Sequence, residues 1–103
     1  MNAENLDQEN RIALQVVQAM LGLIDEEMMA VAFSLSECRI ELNFLVSRAF
    51  DGIEDIQDIE FELDALTDGR YRIGHSIAFA DEEPEWPNIG CRLLFKRKPL
   101  REE

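Results

Sequence analysis

Residues 51–69 read DGIEDIQDIEFELDALTDG, eight acids and no base threaded through with isoleucine, leucine and one phenylalanine. Two periods compete in this stretch. Ile59, Phe61, Leu63 and Ala65 alternate with Glu60, Glu62 and Asp64, a strand signal, whereas Ile53, Ile56, Ile59, Leu63 and Leu66 share one helical stripe. The ends decide between them. Asp51 and Glu54 stand in capping-box spacing, and Gly69 suits the position just past a helix end. The stretch is predicted as a helix over residues 52–67. Its early acids then lie near the positive end of the helix, where each is stabilising by roughly 0.3–1 kcal/mol.

Upstream, residues 11–24 read RIALQVVQAMLGLI, which suits a helix ended by Asp25, Glu26 and Glu27. Arg11, Gln15, Gln18 and Gly22 form its only polar or neutral stripe, so more than half its circumference is apolar. Such a helix needs cover on more than one side, from the rest of the domain or from a second copy of the chain. In residues 28–46, Val31, Phe33 and Leu35, then Ile40, Leu42, Phe44 and Val46, alternate as two strands turning near Ser36 to Cys38. RYRIGHSIAF, from Arg70 to Phe79, alternates as a third strand with Tyr71, Ile73, His75, Ile77 and Phe79 on one face. IGCRLLFKRK, from Ile89 to Lys98, reads as the fourth.

The order α-β-β-α-β-β predicts a two-layer α+β domain: a mostly antiparallel four-stranded sheet with two helices on one face. At 103 residues the chain fits a single domain over residues 1–103, with 1–9 and 99–103 expected to be loose.

With 22 acids against 10 bases the formal charge is −12. Such a surface repels phosphate backbones and anionic membrane, and it favours a basic protein partner. Half of the bases, Arg92, Lys96, Arg97, Lys98 and Arg101, lie in the last twelve residues, where they either pair with the acidic helix or keep a terminal strand soluble. Cys38 and Cys91 form no CxxC and read as reduced packing residues of a cytoplasmic protein. The opening MNAENLDQEN lacks the basic-then-apolar order of a signal peptide, and the apolar stretches fall short of a membrane span. A soluble, cytoplasmic protein is expected.

Catalysis finds little support. His75 is the only histidine, and alternation turns it inward with Ile73 and Ile77 as a structural residue. Neither cysteine carries a nucleophile motif, and the run Asp81-Glu82-Glu83 reads as solvated. The acids do not follow a calcium-loop order, two cysteines and one histidine show no ligand spacing, and no glycine-rich phosphate loop occurs. The expectation is a binding protein that is not an enzyme, with no catalytic residue, metal or cofactor.

Recognition is the remaining chemistry. With Ile56, Ile59, Leu63 and Leu66 turned to the core, Glu54 and Phe61 face away, flanked by Asp55, Asp58 and Glu62 on one side and Asp64 on the other. Phe61 is then either an anchor ringed by carboxylates or a ring that folds down over the core edge or the first helix. A second patch, DEEPEWPN, sets Trp86 beside Asp81, Glu82, Glu83 and Glu85 on a loop. Trp86 packed against the sheet edge is the competing reading there.

The sequence of AMLGLI, the hairpin AVAFSLSECRIELNF, the acidic DGIEDIQDIEFELDAL and the final GCRLLFKRK resembles small bacterial immunity proteins of contact-dependent growth inhibition systems, over roughly residues 12–98. The resemblance implies a cytoplasmic protein that binds and blocks the carboxy-terminal toxin domain of an effector delivered by a sibling cell. Many such toxins are nucleases, basic because they hold phosphate backbones, and an acidic inhibitor can cover that same surface. The alternative is an acidic interaction module or homo-oligomeric adaptor whose first helix is its main interface.

Overall fold

The computed structural model describes residues 3–80, 86 and 91–96 of the chain. Two helices and four strands follow one another as α1 (Ala3–Met20), β1 (Met28–Ser36), β2 (Arg39–Val46), α2 (Ile53–Leu66), β3 (Arg72–Phe79) and β4 (Arg92–Lys96). This is the α+β order expected. The sheet runs β3-β2-β1-β4, with β1 antiparallel to both β2 and β4. Among the described residues only the β2–β3 pair is parallel. A parallel neighbour requires the chain to return to the starting end of the sheet, and α2 is the element that makes this crossing.

Register explains the core. Val31 stands opposite Phe44 and Phe33 opposite Leu42 across the hairpin, and Phe44 and Val46 continue onto Ile77 and Phe79 in β3. These side chains share one face of the sheet. Against that face pack Ile12, Val16 and Met20 from α1 and Ile56, Ile59 and Leu63 from α2, in one continuous buried cluster. Burial of Phe33 or Phe44, both almost fully enclosed, contributes about 1.5–3 kcal/mol each.

The helix ends depart from expectation in three places. First, α1 begins at Ala3 rather than near Arg11, so residues 3–9 are helical where a loose segment was expected. Tertiary polar bonds hold this part in place of an apolar stripe: Gln8 Nε2 donates to the Tyr71 hydroxyl at 2.7 Å, and Glu9 lies 3.8 Å from Arg92. Second, α1 stops at Met20, before the acids Asp25 to Glu27, because Gly22 turns the chain with φ of 80°, a backbone region that suits glycine. Third, the Asp51–Glu54 capping box does not form; Gly52 is the N-cap and no side chain caps the helix. Space selects glycine there, since a Cβ would lie 2.9 Å from Phe50 Cε1 and 3.1 Å from Asp25 Oδ2. The other end of α2 is as expected: Gly69 has φ of 68° and its N–H donates to the Asp64 carbonyl at 3.0 Å.

His75 sits beside Leu42 in the parallel register, on the face that meets α2. Its side chain is 28 % exposed, so it is half-buried rather than enclosed, and Nδ1 lies 3.0 Å from Glu60 Oε2. Cys38 corrects the expectation of a packing residue: it is exposed in the hairpin turn, where no neighbouring layer covers it. Cys91 is half-buried, with Sγ 3.5 Å from Asn43 Nδ2, and both thiols are free. Among the described residues, no helix is long and apolar enough to cross a membrane.

Candidate functional site

The buried side chains of α2 set its rotation. With Ile56, Ile59 and Leu63 fully enclosed, a turn of about 100° per residue sends Glu54, Asp58, Phe61 and Ala65 outward along one stripe. Glu54, Asp58, Phe61, Glu62 and Asp64 are all exposed, and Asp55 is half-buried. The Asp55 carboxylate lies near Gly52 at the start of the helix. Ile53 departs from the core stripe to which its spacing assigned it: it is 42 % exposed, since it opens the first turn on the flank of the buried stripe.

Phe61 is 74 % exposed. The ring therefore neither folds over the core edge nor packs under α1. A large aromatic left in water amid charge is unfavourable for the isolated chain and becomes favourable once a partner covers it. Its neighbours on α2 are acidic. Residues 53–66 contain no base, two acids occupy the first turn, and the last turn offers no cation to offset its exposed carbonyls. Among the described residues, none of Glu54, Asp58, Glu62 and Asp64 forms an ion pair. Glu60 alone among the acids of α2 pairs, turning back to His75. The outer carboxylates thus project their field into solvent, over a screening distance of about 8 Å at physiological salt.

The platform beneath is fixed. Gln15 Nε2 donates to the Leu66 carbonyl at 3.0 Å, tying the last turn of α2 to α1, and Thr67 Oγ1 donates to the Leu63 carbonyl at 2.9 Å. A recognition residue on a docked helix has less freedom to lose on binding than one on a loop.

The second acidic patch divides. Trp86 is half-buried, and Asp81, Glu82, Glu83 and Glu85 lie outside the described residues. Arg92, one of the bases that could have neutralised α2, turns to α1 instead: it lies 3.8 Å from Glu9 and donates to Asn10 Oδ1 at 2.5 Å. Arg97, Lys98 and Arg101 lie outside the described residues.

One feature was not foreseen. A cavity of about 430 Å³ opens between α1, the end of α2 and the start of β3, lined by Arg11, Gln15, Thr67, Arg70 and Tyr71 among others. Asp7 and Asp68 stand in the same walls, so its charges are balanced and it selects neither sign. No local pattern could have announced it, because it depends on the strand order that brings Tyr71 beside Gln8.

Fold and surface together define a two-layer α+β domain that presents an anionic helix face with an aromatic centre. No protein-family model matches this chain, and no curated protein does.

Proposed function

We propose that this protein is an immunity protein that binds and neutralises a basic toxin domain, a nuclease, through the outer face of α2. The observation that carries the reading is Phe61, 74 % exposed on a base-free helix among unpaired carboxylates. Interface centres favour aromatic anchors with charged rims that steer the encounter, and this face has both parts. A nuclease surface, cationic because it holds phosphate, is the matching partner. On this account the inhibitor works in the cytoplasm as a non-catalytic stoichiometric binder, without metal or cofactor, and touches neither nucleic acid nor membrane. The sequence resemblance to contact-dependent growth inhibition immunity proteins supports the same reading.

The test is protection. The carboxy-terminal domain of a large secreted effector encoded beside this gene is produced in cells with and without this protein. Growth restored by the parent chain and lost with Phe61→Ala is the expected result. Equal protection by a folded Phe61→Ala, Asp58→Asn, Glu62→Gln variant, or an unrelated gene neighbourhood, would contradict it.

A further inference from the structure

The cavity between α1, the end of α2 and the start of β3 has a gap in its fastening. Gln8, Arg11 and Gln15 fall on one stripe of α1, at spacings of three and four residues. Gln8 Nε2 crosses to the Tyr71 hydroxyl at 2.7 Å, and Gln15 Nε2 crosses to the Leu66 carbonyl at 3.0 Å. Arg11, between them, lines the cavity and meets no partner among the described residues. The two amides fix the spacing of the walls, and the space enclosed is about 430 Å³, within the range of small-molecule sites.

The unused groups around this space carry both charges. Asp7, Arg11, Asp68 and Arg70 are exposed, line the same cavity and form no ion pair among the described residues. Asp7 precedes Arg11 by four residues, the helical spacing at which a carboxylate and a guanidinium ordinarily meet, and still the two stay apart. Tyr71 adds a donor. Its oxygen accepts from Gln8, which leaves the phenolic proton for a further acceptor. The wall opposite α1 is pinned: Asp68 stands in the left-handed region with φ of 56°, which an aspartate tolerates, and the Arg70 N–H donates to the Thr67 carbonyl at 3.1 Å.

These groups define the guest. A plain anion would meet Asp7 and Asp68 in a chain of net −12, and a plain cation would meet Arg11 and Arg70. A small molecule with both charges satisfies all four. Guanidinium groups suit a carboxylate through paired hydrogen bonds, and an ammonium, with three donors and no acceptor, suits the two aspartates. We infer that this cavity binds a free α-amino acid, its carboxylate held by Arg11, Arg70 and the Tyr71 hydroxyl, its ammonium by Asp7 and Asp68, and its side chain against Leu66. The site uses none of the outer carboxylates of α2 and stands independently of the toxin reading.

Titration of the full chain with L-leucine, followed by amide chemical shifts with no toxin present, tests the inference. Saturable binding with a dissociation constant on the order of 1 mM is expected, with the shifts centred on Arg11 and residues 66–71. Two blocked probes separate the charges: N-acetyl-L-leucine lacks the ammonium and L-leucinamide lacks the carboxylate, and each should bind at least about fivefold more weakly. Arg70→Gln and Asp68→Asn should each weaken L-leucine by a similar factor, while circular dichroism confirms that both variants fold. Absence of saturation up to about 20 mM overturns the inference. So does a blocked probe that binds as well as L-leucine, or binding indifferent to both substitutions.

Discussion

The Glu60 carboxylate lies 3.0 Å from Nδ1 of His75, bridging the inner flank of α2 to the edge strand β3. Both side chains are partly solvated, so water competes for the contact. A double-mutant cycle with His75→Gln and Glu60→Gln is expected to give a coupling below about 1 kcal/mol in denaturant unfolding. Toxin neutralisation should be unchanged in every corner of the cycle. Loss of neutralisation in a His75→Gln chain that melts like the parent would assign this histidine a chemical role.

The rotation of α2 makes a second prediction. Ile59 is fully enclosed and Ile53 is 42 % exposed, although both fell on the same apolar stripe in the sequence. Ile59→Ala should cost about 2–5 kcal/mol, while Ile53→Ala should stay within about 0.5 kcal/mol of the parent. Equal losses would mean that the helix is turned differently and that Phe61 does not face outward.

The turn after α2 gives a third. Gly69 has φ of 68°, where a Cβ meets no neighbour but the backbone itself disfavours an L side chain. Gly69→Ala should destabilise by about 1 kcal/mol through backbone strain alone, read as a lower midpoint with an unchanged denaturant slope. Stability equal to the parent would show that the turn relaxes.

Much of this architecture was legible because its signals were redundant. The hairpin follows from strict alternation in Ile40, Leu42, Phe44 and Val46, and α2 follows from the spacing of Ile56, Ile59 and Leu63 closed by Gly69. Elements held by long-range bonds were less legible. Residues 3–9 offer no apolar stripe, and their helix is secured by partners more than 60 residues away: Tyr71 for Gln8 and Arg92 for Glu9. Strand order was equally hidden, since the parallel β2–β3 pairing leaves no mark in either strand. Asp51 and Glu54 had the spacing of a cap, yet α2 starts from Gly52 with no side chain capping it. For the site, the outward direction of Phe61 and its acids was readable from periodicity, whereas the exposure that leaves Phe61 uncovered depends on what the remaining elements pack against.

The most direct measurement of the central claim is binding kinetics with the cognate toxin domain at two salt concentrations. Asp58, Glu62 and Asp64 are exposed and unpaired among the described residues, so replacing the three by their amides should mainly slow association, and more so at low salt. Phe61→Ala should instead speed dissociation, at a cost on the order of 2 kcal/mol or more. Unchanged rates in both folded variants would contradict the account, leaving α2 a solvated face and placing the contact elsewhere.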